Sequence, residues 1–170
     1  MKLLIITLLL AQAVQMYPIQ ATPPTEPKAT TKRGQLVLNC GKKQSLFFNA
    51  HWEQSERMQK EHSIPMAISY SILILESAWG KSRRATQDFN FTGIKYNGKY
   101  AVFRSKEEFY KAFAKVLNQS CYQNIDRTSI DAWLYALQWN KCGYATSRKY
   151  KAKLTQLIKQ YKLDRLCPTN

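Results

Sequence analysis

Residues 64–95 read IPMAISYSILILESAWGKSRRATQDFNFTGIK, and the stretch from Ile64 to Trp79 decides the fold. Its apolar side chains fall on nearly every side of a helical wheel. A helix without a polar face must be enclosed by other elements, so this one is expected to be a central core helix. Ser63 is placed to cap it and Pro65 suits its first turn. Gly80 supplies a stop. The one carboxylate of the run, Glu76, sits near its end. At helical spacing Ile72 and Leu73 lie one turn before it and Trp79 three residues after it. A carboxyl in that setting is desolvated, which raises its pKa. If it keeps its proton near neutral pH it can donate that proton to a leaving oxygen. The plainer alternative is a Glu at a frayed helix end, exposed or paired with Lys81 or Arg83.

Working outward, Ser45 to Glu61 reads as a helix with an irregular apolar face. Beyond Gly80 the pattern changes to loop residues, and Asn97-Gly98 between Tyr96 and Tyr100 predicts a small hairpin over about Gly93–Phe103. Ser105 and Glu108 form a capping-box pattern, ahead of a helix with Phe109, Ala112, Phe113, Val116 and Leu117 on one face. Two more helices are predicted, about Ser129–Trp139 and Ser147–Tyr161. Trp52, Trp133 and Trp139 read as core rings rather than sugar platforms. Asn90-Phe91-Thr92 and Asn118-Gln119-Ser120 have the form of glycosylation sequons.

The chain begins with a short basic start, Met1-Lys2, then the apolar run Leu3–Leu10 and an A-x-A site at Ala11-Gln12-Ala13. This predicts a secretory signal over residues 1–21, and hence a secreted or periplasmic protein; an uncleaved anchor is the alternative. Residues 22–34 (TPPTEPKATTKRG) have almost nothing to bury and read as a flexible linker. One domain, residues 35–170, follows. The four cysteines are Cys40, Cys121, Cys142 and Cys167. In an exported chain an even count favours disulfides, and four allow three pairings; the pairing expected is Cys40–Cys167 with Cys121–Cys142. No C-x-x-C pair exists and neither histidine is near a cysteine in sequence, so no metal site is expected.

Lys and Arg total 26 against 11 acidic residues, a net charge of +15. That balance points to a polyanionic environment, such as nucleic acid, a membrane surface or an anionic envelope polymer, and does not choose among them. The export signal and the absence of a nucleic-acid motif argue against nucleic acid.

Glu76-Ser77-Ala78-Trp79-Gly80-Lys81-Ser82, then Asn90 and Gly93-Ile94-Lys95, then Phe103-Arg104-Ser105, then Gly143-Tyr144-Ala145-Thr146 followed by Tyr150, form an ordered set. The set resembles the peptidoglycan β-N-acetylglucosaminidases of glycoside hydrolase family 73, which include flagellar muramidase-like domains. Their pattern is a helix ending E-S-G-W-G-K-S and a loop ending N-N-L-F-G-I-K. The likeness spans about residues 46–162 and has one change in the first motif, Gly to Ala78. It implies a mainly α (α+β), lysozyme-like helical domain with a β-hairpin lobe, here reduced, and a cleft between them. It also implies Glu76 as the general acid and Tyr144 as a cleft tyrosine. Asn90, Tyr96, Trp79 and Thr92 join them as candidate substrate-binding residues; Thr92 stands where the family usually has Phe. The implied partner is the peptidoglycan glycan strand, bound by a monomer that needs no cofactor.

One departure bears on mechanism. Between Lys95 and Phe103 the family has a longer insert carrying a second acid; here only YNGKYAV remains. Three routes stay open: the substrate's N-acetyl group as nucleophile, a lytic transglycosylase reaction, or a wall-binding protein that has lost catalysis. Asp88, Glu107 and Glu108 are the available stand-ins. Glu108 is better explained as a cap and Asp88 as a turn residue.

Overall fold

The computed structural model describes residues 41–138 and 144–166. The signal and linker segments, the domain boundary at residue 35, Trp139, and Cys40, Cys142 and Cys167 lie outside these residues, and so do the two expected disulfide pairings. The elements run α1 (Lys42–His62), α2 (Met66–Ser77), α3 (Arg83–Asp88), β1 (Lys95–Tyr96), β2 (Lys99–Tyr100), α4 (Lys106–Leu117), α5 (Ile130–Ala136) and α6 (Tyr150–Tyr161). Short 3-10 turns lie at Ser120–Tyr122 and Leu163–Arg165. The fold is mainly helical with one small antiparallel hairpin, as expected.

Helix α2 is the axis. Ten of its twelve residues are buried, and α1, α5, α6 and the final 3-10 turn pack around it. Its start differs from the expectation. Ser63 does not cap α2; it is the left-handed C-cap of α1 (φ 51°), donating its N–H toward Gln59 O and Met58 O. Pro65 takes the N-cap position of α2, and the Gln59 side chain accepts from Met66 N at 2.9 Å. Two residues, Ser63 and Ile64, thus separate α1 from the cap of α2, which fixes the two helices as close neighbours.

Helix α3 was not foreseen, because a six-residue helix shows no apolar period. Ser82 caps it by accepting from Ala85 N at 3.2 Å. In α4 the expected capping pair forms in a shifted version. Ser105 Oγ accepts from Glu108 N at 3.1 Å, and Glu108 Oε2 accepts from Arg104 N, one residue before the cap, at 2.7 Å. The guanidinium of Arg127 ties four segments together: it donates to His62 O, Asn118 Oδ1 and Tyr122 O and lies 4.9 Å from the Trp133 ring centroid. Trp52 and Trp133 are core rings.

The hairpin is two residues a side, in register Lys95↔Tyr100 and Tyr96↔Lys99. Both turn residues have positive φ, Asn97 50° and Gly98 78°, the primed turn that Asn-Gly favours. So short a ribbon cannot stand alone. Asn90 holds it. Its Nδ2 donates to Ile94 O and Ala101 O, and its Oδ1 accepts from Ile94 N, all at 2.9 Å. Asn90 is 1% exposed, so its sequon is closed to modification in the folded chain.

One titratable group sits deep in the packing. His51 Nδ1 is 3.0 Å from Tyr110 OH, which is 3.3 Å from Ser55 Oγ. The imidazole packs against the rings of Phe47 and Phe91. Burial, and secondarily the charge of Lys106, lower its pKa to about 3. A neutral imidazole in the folded state against a chargeable one in the unfolded chain stabilises fully above pH ~6.5. That stability is lost as the pH falls toward 3. Replacement by Phe removes the titration and leaves Tyr110 with Ser55. Urea unfolding at pH 7 and pH 4 should show the wild type losing about 3 kcal/mol more than His51→Phe over that interval; equal losses would contradict it.

Candidate active site

Along α2 one position faces away from the packing. Every residue from Met66 to Ile74 is buried, Leu75 is half-buried, Glu76 is exposed and Ser77 is buried again. Ile72 and Leu73, one turn earlier, are turned fully into the core. The helix is thereby fixed in rotation, and Glu76 has a single direction available to it.

The chain after Glu76 is equally constrained. Ala78, Trp79 and Gly80 all have positive φ (50°, 62° and 73°). Ser77 anchors the turn: its hydroxyl donates to Leu73 O at 2.6 Å and accepts from Gly80 N at 2.7 Å, while Ser77 O accepts from Ser82 N at 2.8 Å. Ala78 takes a left-handed conformation that glycine adopts more readily, at a cost of about 1 kcal/mol.

Glu76 opens onto a groove of about 470 Å³. The hairpin segment forms one wall with Thr92, Lys95 and Tyr100. The end of α4 and the turn after it form another with Val116, Gln119 and Tyr122, and Tyr144 and Thr146 complete it. Glu76 is therefore exposed to the groove rather than sealed from water as its sequence neighbours suggested. Crowding by the walls still desolvates it enough to raise its pKa, an effect tempered by the nearby Tyr150 hydroxyl and by the charge of Lys153. Among the described residues lining the groove, Glu76 is the one carboxylate.

Three hydroxyls gather around it. Thr92 Oγ1, Tyr144 OH and Tyr150 OH are buried, and none makes a well-formed hydrogen bond within the protein. They are near enough to feel one another: the Tyr150 hydroxyl favours the Glu76 carboxylate, and the Thr92 hydroxyl eases ionisation of Tyr144. Desolvation is the first cause that holds both phenols far above the ordinary range, followed by the Glu76 charge for Tyr144 and by Tyr144 and then Glu76 for Tyr150, so each keeps its O–H. Buried hydroxyls left without good partners are uncommon in native proteins. Thr92 and Tyr144 belong to residues that line the groove, and Tyr150 stands behind them.

The residues singled out in the sequence separate. Glu76, Thr92 and Tyr144 meet at the groove. Asn90 does not: its polar atoms face inward to the hairpin. Trp79 packs edge-on against Phe47, Phe48 and Tyr161, with centroids 4.8–5.8 Å apart, and does not line the groove. Tyr96 is 56% exposed on the hairpin and also stands off the groove wall. Of the stand-in acids, Asp88 pairs with Arg84 at 2.8 Å, Glu107 with Lys111 at 3.1 Å, and Glu108 is a cap. Tyr150, Lys95 and Gln119 were missed as site residues. The spacing of Tyr150 reads equally well as core, and its place after the Gly143–Thr146 motif was the one available signal.

The sequence model of the glucosaminidase family, described as mannosyl-glycoprotein endo-beta-N-acetylglucosaminidase, matches residues 52–163. No curated protein matches the chain. Among solved structures, the catalytic domain of the autolysin Auto from Listeria monocytogenes is similar at 23% identity and a TM-score of 0.61, over 81% of this chain and 98% of that one. A peptidoglycan hydrolase mutant from Sphingomonas sp. A1 is similar at 24% identity and a TM-score of 0.58, over 71% and 96%. The glycoside hydrolase domain of FlgJ from Salmonella typhimurium gives 21% and 0.57, over 70% and 97%. These three likenesses speak for the fold, and the family match, which takes in Glu76, the hairpin and Tyr144, speaks for the chemistry: the chain belongs to the glucosaminidase family, glycoside hydrolase family 73, and is a glycoside hydrolase.

Proposed function

We propose that the protein cleaves β-1,4 bonds of peptidoglycan glycan strands after N-acetylglucosamine, with Glu76 as general acid. The carrying observation is a carboxyl of raised pKa, the one acid among the described residues that line a groove of about 470 Å³. The wall as substrate accords with the peptidoglycan hydrolases of the same fold. The +15 charge suits an anionic envelope, and the N-terminal signal suits a monomer acting outside the cytoplasm. The two disulfides, Cys40–Cys167 and Cys121–Cys142, belong to the same reading.

With one carboxylate, the substrate's own acetamido group supplies the nucleophile. Its carbonyl oxygen attacks the anomeric carbon as the glycosidic C–O bond breaks, and Glu76 gives its proton to the departing oxygen. The Glu76 carboxylate then takes a proton from the water that opens the oxazolinium ring, restoring the acid and closing the balance. Thr92, Tyr144 and Tyr150 are the donors at hand to orient the acetamido group. A lytic transglycosylase route needs one carboxyl as well, with the sugar's 6-hydroxyl replacing water. The lone carboxylate favours both over a two-acid mechanism.

Zymography on purified walls should show clearing by the wild type and a loss of about 10²–10⁴-fold for Glu76→Gln; no clearing by either protein would favour a wall-binding role. Mass spectrometry of the products separates the routes, since free reducing N-acetylglucosamine ends mark hydrolysis and 1,6-anhydromuramic ends mark the transglycosylase. A further expectation concerns Tyr150→Phe. Removing a donor that favours the carboxylate raises the Glu76 pKa further. Because the acid acts in its protonated form, the alkaline limb of the kcat/KM profile should move to higher pH. An unmoved limb would mean that Tyr150 does not touch Glu76 in the working enzyme.

A further inference from the structure

The hairpin end of the groove carries an uncompensated positive charge. Lys95 opens β1 and lines the groove beside Gly93 and Tyr100. Its ammonium stands 4.5 Å from the Tyr100 ring centroid, and the Arg84 guanidinium stands 4.4 Å from the same centroid. Arg84 is already committed to Asp88. Lys95 has no carboxylate partner among the ion pairs of the described residues, and Glu76 is the one acid on the described lining. The ring of Tyr100 restrains a side chain that would otherwise sample many rotamers, so part of the ordering cost of binding is met before a ligand arrives.

We propose that Lys95 forms a subsite for a carboxylate on the substrate, which makes the groove select a charged glycan over a neutral one. The inference rests on the glycan-strand reading above and deepens it. Neutral sugar hydroxyls gain little from an ammonium at this place. A strand whose alternate sugars bear a lactyl ether gains a charge-assisted hydrogen bond. The carboxylate could be the lactyl group itself, where the strand is bare, or one on the stem peptide attached there.

The test is equilibrium binding with the chain carrying Glu76→Gln, so that turnover does not intervene. Three probes are compared at matched length: glycan strands with stem peptides, strands stripped to the free lactyl carboxylate, and neutral chito-oligosaccharide. The charged strands should bind about tenfold more tightly than the neutral one at low salt. The ratio should shrink in 0.5 M salt, roughly a Debye length of 4 Å. Adding Lys95→Gln should bring the ratio close to one, and adding Lys95→Arg should keep most of it. Preference for the stripped strand identifies the free lactyl carboxylate, preference for the peptide-bearing strand identifies the stem, and equal tight binding of both shows that the subsite takes either carboxylate. A ratio near one before Lys95 is changed would overturn the inference. So would a Lys95→Gln loss that is equal for charged and neutral probes, or binding to none of the three. The zymogram reads the cleavage proposal separately: clearing without charge selection sinks only the subsite, and selection without clearing sinks only the catalysis.

Discussion

Helix α2 has no free face, and the rest of the structure follows from that constraint. A helix buried on all sides cannot slide or rotate without exposing apolar surface, at roughly 1.5–3 kcal/mol for each large side chain uncovered. Ile68, Ile72 and Leu73 are wholly enclosed, so the rotational setting of α2 is fixed by burial and not by any polar contact of Glu76. The carboxyl inherits its direction from its neighbours' greasiness. Such a site holds its geometry whether Glu76 is protonated or not, because nothing that positions the residue depends on its charge.

The termination of α2 extends the same constraint into the groove. Three successive left-handed residues reverse the chain within one turn, and the Ser77 hydroxyl, itself buried, takes up helix-end groups that would otherwise lack partners. Trp79 is then directed against α1 and α6 through Phe47 and Tyr161. The indole braces the turn from behind, where Phe47, Phe48 and Tyr161 surround it, while Glu76 looks out on the other side. That division explains why the carboxyl is less dry than its sequence setting suggested: the apolar neighbours at helical spacing serve the core.

The legible part of the fold was the part governed by long apolar periods. The burial of α2, the amphipathic face of α4 and the positions of α5 and α6 all followed from side-chain spacing, with ends shifted by a few residues. The Asn97-Gly98 turn was legible because few dipeptides tolerate two positive φ values. Helix α3 was not, being too short to show a period, nor was the role of Ser63, where a residue able to cap either helix served as the stop of the first. In the site, Glu76 was legible as the odd residue in an apolar run. Tyr150 and Lys95 were not, because contact across the groove depends on how α6 and the hairpin dock on α2. Asn90 shows the converse failure. A polar residue inside a motif invites a ligand reading, yet a hairpin of two residues a side needs an internal anchor, and Asn90 supplies three of its hydrogen bonds.

The short hairpin also changes how charge is arranged around Glu76. A second carboxylate beside Glu76 would raise the Glu76 pKa by repulsion while offering its own charge to the transition state. Here desolvation raises it instead, with Tyr150 and Lys153 acting against it. An acid tuned mainly by desolvation responds to how fully the groove is filled. A bound strand that displaces water from the walls raises the Glu76 pKa further, so occupancy itself drives the carboxyl toward its proton-bearing form. The buried hydroxyls of Thr92, Tyr144 and Tyr150 beside Glu76 also lack good partners. Thr92 and Tyr144 line the groove, so an apolar ligand would leave them as unpaired as it found them, a cost that a ligand able to accept from them would remove.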